Sequence, residues 1–109
     1  KFAQFPHQGV WIKSHVGAPV RASAAGSVVY SGRGLKGYGH LILIKHGHQL
    51  LSAYGYNHAV RIKIGQRVAR GQILAWVGRS QHRLPMIYFE VRKGGHAVDL
   101  HGFFRSYRG

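Results

Sequence analysis

The chain has no cysteine, so it holds no disulfide framework, no thiolate zinc site and no cysteine nucleophile. Acid is nearly absent as well: Glu90 and Asp99 are the only carboxylate side chains in 109 residues. A mechanism built on paired carboxylates would require those two to meet, and a carboxylate-rich calcium or magnesium site is excluded. No apolar run approaches the roughly 20 residues that a transmembrane helix needs. No segment sustains the helical apolar period of about 3.6 residues, so long helices are not expected. Internal repeats and low-complexity stretches are also missing.

What remains is basic and apolar. Sixteen Lys and Arg against two acids give a formal charge of +14 with His neutral, and 45% of the residues are hydrophobic. A single domain of this length buries roughly two-thirds of its unfolded surface, and the apolar content supplies a core, which argues against a disordered chain. The cations are scattered along the chain as on a solvated basic surface, not gathered in a tail. Such a surface calls for anionic surroundings: nucleic acid, acidic headgroups, an anionic polymer or an acidic partner. No recognition-helix, zinc-finger or stacking signature is present, so specific nucleic-acid binding is not expected. The chain opens at Lys1 and reads as a piece of something longer.

Sixteen glycines and three prolines punctuate short β-branched and aromatic runs, the pattern of an all-β sandwich or barrel. Strands are expected at residues 19–22, 26–32, 39–46, 49–56, 61–64, 73–77 and 86–92, with a short addition at 97–98. A tight turn at Gly47-His48 should pair the third and fourth as a hairpin. Arg61 to Ile64 alternates, polar out and apolar in. Residues 79–85 read as an exposed polar loop. Phe103 and Phe104 are expected to pack, and the chain from Tyr107 to fray.

The order of blocks carries a resemblance. The chain runs His7-Gln-Gly-Val-Trp11, Gly17-Ala-Pro-Val-Arg-Ala22 and Ala25-Gly-Ser-Val-Val-Tyr-Ser-Gly32. It continues with Gly37-Tyr-Gly-His-Leu-Ile-Leu-Ile-Lys-His46, Leu51-Ser-Ala-Tyr-Gly-Tyr56 and Ile64-Gly-Gln-Arg-Val-Ala-Arg-Gly-Gln-Ile73. Tyr88-Phe-Glu-Val-Arg92 and Ala97-Val-Asp99 close the series. Over about residues 5–104 this resembles the LytM (lysostaphin-type) zinc metallopeptidases. The resemblance implies one domain over 1–109 with an antiparallel two-sheet, sandwich or barrel-like LytM fold, short loops and little helix.

The family's peptidases have His-x-Gly-x-Asp, Tyr-x-His and His-x-His-Phe-Glu. Here the matching positions read His7…Trp11, Tyr54-Gly-Tyr56 and Met86-Ile-Tyr88-Phe-Glu90, so His7 alone of the five metal-binding and catalytic groups is kept. A catalytic zinc needs three protein ligands and an open position for water. Trp11 has no ligand atom, Met86 is a soft thioether suited to copper(I), and the phenol of Tyr88 titrates near about 10. Without metal no activated water forms, and no general base stands at the expected places. The expectation is therefore no catalytic residue, no metal and no cofactor.

The replacements turn a polar cleft into an aromatic one, the composition of a protein-binding groove. Gly37-Tyr-Gly, Ile-Lys-His46 and Leu51-Ser-Ala-Tyr54 resemble the degenerate LytM domains of NlpD/EnvC-type amidase activators. That resemblance implies binding and activation of a periplasmic N-acetylmuramoyl-L-alanine amidase during daughter-cell separation. It places the protein in the envelope of a Gram-negative bacterium, with an outer-membrane anchor upstream as one arrangement. The groove residues it points to are His7, Trp11, Tyr56, Met86 and Tyr88, bordered by Arg79, His82 and Arg83.

Each has a plainer alternative: Trp11 and Met86 as core filling, Tyr56 and Tyr88 as mutual hydrogen-bond partners, the loop cations as solvated charge, His7 as a surface histidine. Glu90 reads as a structural ion-pair partner. Two other functions stay open: a peptidoglycan-binding module without activator role, and a divergent zinc endopeptidase using a relocated cluster among the nine histidines.

Overall fold

The computed structural model describes residues 9–78, 84–98 and 100. His7, Arg79, His82, Arg83, Asp99, Phe103, Phe104 and Tyr107 therefore lie outside the described residues, and the expectations made for them are not addressed below. The described part is built from nine strands: β1 (Val10–Lys13), β2 (Pro19–Arg21), β3 (Gly26–Gly32), β4 (His40–Gly47), β5 (Leu50–Val60), β6 (Arg67–Val68), β7 (Ile73–Val77), β8 (Met86–Lys93) and β9 (His96–Ala97). All pairings are antiparallel, in the order β1-β8-β5-β4-β3-β6, with β7 joined to β5 and β2, and β9 to β8.

The expected all-β architecture is thus present. Its two layers are joined by hydrogen bonds into one continuous sheet, because β5 serves both. Residues 50–55 of β5 lie between β4 and β8, whereas Asn57–Val60 pair with β7. The switch falls at Tyr56, whose φ is 63°. Asn57 Nδ2 donates to the carbonyls of Tyr54 at 2.7 Å and His40 at 2.9 Å, satisfying acceptors at the irregularity.

β4 shows why its sequence is almost wholly apolar. Ile42 and Ile44 enter a core with Val20, Val28, Leu74 and Val77. Leu41 and Leu43 enter a second cluster on the opposite face, with Tyr38, Ala53 and Tyr88. A strand covered on both faces needs apolar side chains at odd and even positions alike. The first core also carries a polar thread. Ser52 Oγ lies 2.7 Å from His46 Nε2 and 2.7 Å from the Tyr54 hydroxyl, which accepts the Ser23 N–H at 3.0 Å.

Three local expectations change. Residues 61–64 are not a strand: the Gly65 N–H donates to the Val28 carbonyl at 2.7 Å, and Gly65 turns the chain at φ 93°. The alternation holds at Arg61, Ile62 and Lys63 and fails at Ile64, which sits 61% exposed at the turn. The β4–β5 hairpin forms, but its turn residues are His48 and Gln49, with φ 51° and 63°, closed by a Gly47–Leu50 pair. β1 is an extra strand of four residues; it pairs with β8 from Val10↔Phe89 to Lys13↔Met86.

Candidate functional site

The β1–β8–β5 register sets Trp11 opposite Tyr88 and Tyr88 opposite Gly55. Gly55 leaves room for this row, since a Cβ there would lie 3.4 Å from the Tyr88 side chain and 3.3 Å from the Tyr38 carbonyl. The Trp11 ring, 36% exposed, packs on two tyrosines, with centroids 5.0 Å from Tyr88 and 5.2 Å from Tyr56. Tyr38 backs Tyr88 from the other side at 5.8 Å. These tilted contacts are the arrangement that ring quadrupoles favour.

Tyr56 is held by the loop before β4. Its N–H donates to the Tyr38 carbonyl at 2.8 Å, and its hydroxyl donates to the Gly37 carbonyl in a short bond. Gly39, at φ 61°, makes space for the ring: a Cβ there would come within 2.8 Å of Tyr56 Cδ1. An aromatic residue at positive φ is sterically costly and persists only where its surroundings hold it.

Tyr88 is fully buried and supports Trp11 from beneath. Its hydroxyl donates to Glu90 Oε1 at 2.6 Å and accepts the Gly9 N–H at 2.9 Å. The expected alternative of a mutual Tyr56–Tyr88 hydrogen bond gives way to these separate partners, with Trp11 packed on both rings. Burial, followed by the hydrogen bond to Glu90, pushes the Tyr88 phenol well above its ordinary value. Glu90 is an ion-pair partner, as expected, and its cation is Arg92, Nε to Oε2 2.6 Å, both side chains being buried. Arg92 Nη1 also donates to the Gly95 carbonyl at 3.1 Å. Burial and the Glu90 charge raise the Tyr38 phenol, and Arg92 opposes them.

Met86 lies two residues before Tyr88 on the same face of β8, half-buried. The site thus unites Trp11, Tyr56 and Tyr88, and Met86 shares only the strand face of Tyr88. Sequence reasoning missed the layer below, where Tyr38 and Arg92 join Glu90. Its signal was the spacing Tyr88-x-Glu90-x-Arg92, which puts all three on one strand face.

A zinc ion does not fit these residues. Trp11 offers no lone pair, and the Tyr88 oxygen is already engaged by a carboxylate and an N–H, with its proton held more tightly than in free phenol. Among the described residues no group of three or more His, Asp and Glu stands close enough to hold a metal ion.

Residues 5–100 match the profile described as Peptidase family M23. The chain belongs to peptidase family M23. Within M23 it is 41% identical over 93 residues to the lipoprotein NlpD/LppB homolog of Pseudomonas aeruginosa, covering 85% of this chain and 31% of that protein. It is 38% identical over 93 residues to the murein hydrolase activator NlpD of Escherichia coli, 85% of this chain and 24% of that protein. The chain thus spans 24–31% of the length of these curated relatives.

Solved M23 structures share the fold. The catalytic domain of the prophage-encoded M23 protein EnpA from Enterococcus faecalis superposes with a TM-score of 0.76 at 32% identity, over 85% of this chain and 75% of that one. The catalytic domain of lysostaphin from Staphylococcus simulans gives 0.78 at 26% identity, over 91% and 79%. The LytM expectation for family and fold is met.

Proposed function

We propose that this M23 domain is a non-catalytic regulator that binds and activates a periplasmic N-acetylmuramoyl-L-alanine amidase, promoting septal peptidoglycan splitting. One observation carries the reading. An aromatic cluster of Trp11, Tyr56 and Tyr88 stands where the family's peptidases are expected to have a metal-binding Asp, an assisting His and a metal-binding His. The Tyr88 hydroxyl is engaged by Glu90 and Gly9. The partly exposed Trp11 ring on a fixed aromatic base is the kind of anchor that dominates protein interfaces. The murein hydrolase activator name of the E. coli relative supports the same direction. The working place is the Gram-negative cell envelope, in keeping with the lipoprotein relatives; an outer-membrane anchor outside this segment belongs to the proposal.

The test is dye release from labelled peptidoglycan by a purified amidase, with the domain, without it, and with the domain alone. Release above the amidase's own level only when both are present is the expected result. Trp11→Glu should remove the gain while the domain still unfolds in one cooperative transition, at a melting temperature lowered by the lost ring contacts. Release by the domain alone would overturn the proposal. The charge of +14 favours a second reading, a peptidoglycan-binding module without activator role, which salt-sensitive co-sedimentation with sacculi and no amidase effect would support.

A further inference from the structure

Two turns between β5 and β7 are built alike. In each, a glycine at positive φ precedes a glutamine: Gly65 at 93° before Gln66, and Gly71 at 81° before Gln72. The glutamine N–H donates to the carbonyl three residues back, Lys63 at 3.1 Å and Ala69 at 3.1 Å. Its Oε1 accepts the N–H of that same residue, at 3.2 Å from Lys63 and 2.9 Å from Ala69. A backbone N–H requires an oxygen opposite it, so the amide orientation is fixed and the NH2 of each glutamine is the end left over.

Gln66 and Gln72 line one cavity of about 360 Å³ together with Arg61, Ile62 and Ile73. Neither NH2 group nor the Arg61 guanidinium has a partner among the described residues. The polar side chains of this cavity therefore present donors. Ile62, 6% exposed, and the half-buried Ile73 wall it with apolar surface, which strengthens charge–dipole attraction inside.

The surroundings carry one sign. Residues 61–72 contain Arg61, Lys63, Arg67 and Arg70 and no acid, and Arg21 reaches in to donate to the Gly71 carbonyl at 2.9 Å. Glu90 is buried against Arg92 and does not neutralise this corner.

We propose that the cavity between the twin glutamine turns is an oxyanion-binding pocket, in which Arg61, Gln66 and Gln72 take one carboxylate or phosphate group. The guanidinium fork fits either group bidentately, and the two amides supply further donors. The pocket shares no residue with the aromatic cluster, so it stands or falls independently of the activator reading.

Nitrogen–proton NMR on the isotope-labelled chain tests it, following the side-chain NH2 signals of Gln66 and Gln72 and the Arg61 Nε–H. Sodium acetate and sodium phosphate are titrated separately at neutral pH, against sodium chloride at matched ionic strength. Saturable shifts confined to these three groups with an oxyanion, and absent with chloride, are expected. The anion that saturates at lower concentration identifies carboxylate or phosphate as the preferred group. Arg61→Gln should weaken saturation about tenfold or more. Gln72→Glu keeps the turn-capping oxygen and replaces the donor with a carboxylate oxygen, so it should abolish saturation at an unchanged melting temperature. Should Gln72→Glu fail to fold, the surface variant Arg61→Gln still decides. Shifts that match those in chloride, or an Arg61→Gln titration equal to that of the parent, would overturn the pocket.

Discussion

At the residue scale the described site rests on one buried ion pair. Glu90 and Arg92 are 0% and 3% exposed, and the Tyr88 hydroxyl reports to the same carboxylate. Removing one partner leaves an uncompensated buried charge, so Arg92→Met should cost about 3–5 kcal/mol in urea unfolding, and adding Glu90→Leu should recover much of it. Tyr88→Phe keeps the ring under Trp11 but deprives Gly9 N–H and Glu90 of a bond; a loss of about 1–3 kcal/mol is expected, with the near-ultraviolet signal of Trp11 retained. His40 adds a pH term. Burial, then Arg33, lowers its pKa below the ordinary histidine value. The unfolded chain therefore binds more protons just below about pH 6.5, and stability present above that pH is lost as pH falls through the folded pKa. Melting temperatures from pH 7.5 to 5 should decline, and His40→Asn should flatten the decline; an unchanged slope would remove His40 as a cause.

Among the elements, the β4–β5 hairpin departs from what its residues prefer. His48 and Gln49 both adopt positive φ, the two-residue turn that favours Asn-Gly. The double substitution His48→Asn with Gln49→Gly should raise stability by about 1–2 kcal/mol in denaturant unfolding, since side chains at positive φ are strained. No gain would mean that contacts of these side chains offset the strain. The neighbouring β8–β9 turn already uses Gly94 and Gly95, at φ 59° and 85°. Strands β3, β4, β7 and β8 were legible because apolar runs end at turn residues. β1 was hidden because Val10–Lys13 is only four residues long and three of them are exposed, so it becomes a strand by pairing with β8. Arg61–Ile64 alternates like a strand, but the ladder ends with Arg61 N–H on the Leu74 carbonyl, and Gly65 then bends the chain away.

For the molecule as a whole, charge is the dominant feature. With +14 and one described acid buried in an ion pair, the folded chain repels itself at low ionic strength. Raising sodium chloride from about 10 to 150 mM shortens the Debye length from roughly 30 to 8 Å and should raise the melting temperature. A fall instead would show that attractive pairs outweigh the repulsion.

The family, the all-β architecture and the aromatic character of the site were all written in the residue order. The family follows from the order of the sequence blocks, the architecture from turn residues and alternation, and the aromatic character from the identities at Trp11, Tyr56, Met86 and Tyr88. Folding in three dimensions was needed to place Tyr88 inside and Trp11 outside, since burial depends on which strand comes to lie opposite. It was needed also to bring Tyr38 against Tyr88 and the Glu90–Arg92 pair, and to open two glutamine turns, their glutamines six residues apart, into one cavity. Long-range register creates those juxtapositions, and no spacing along the chain encodes which faces will close on one another.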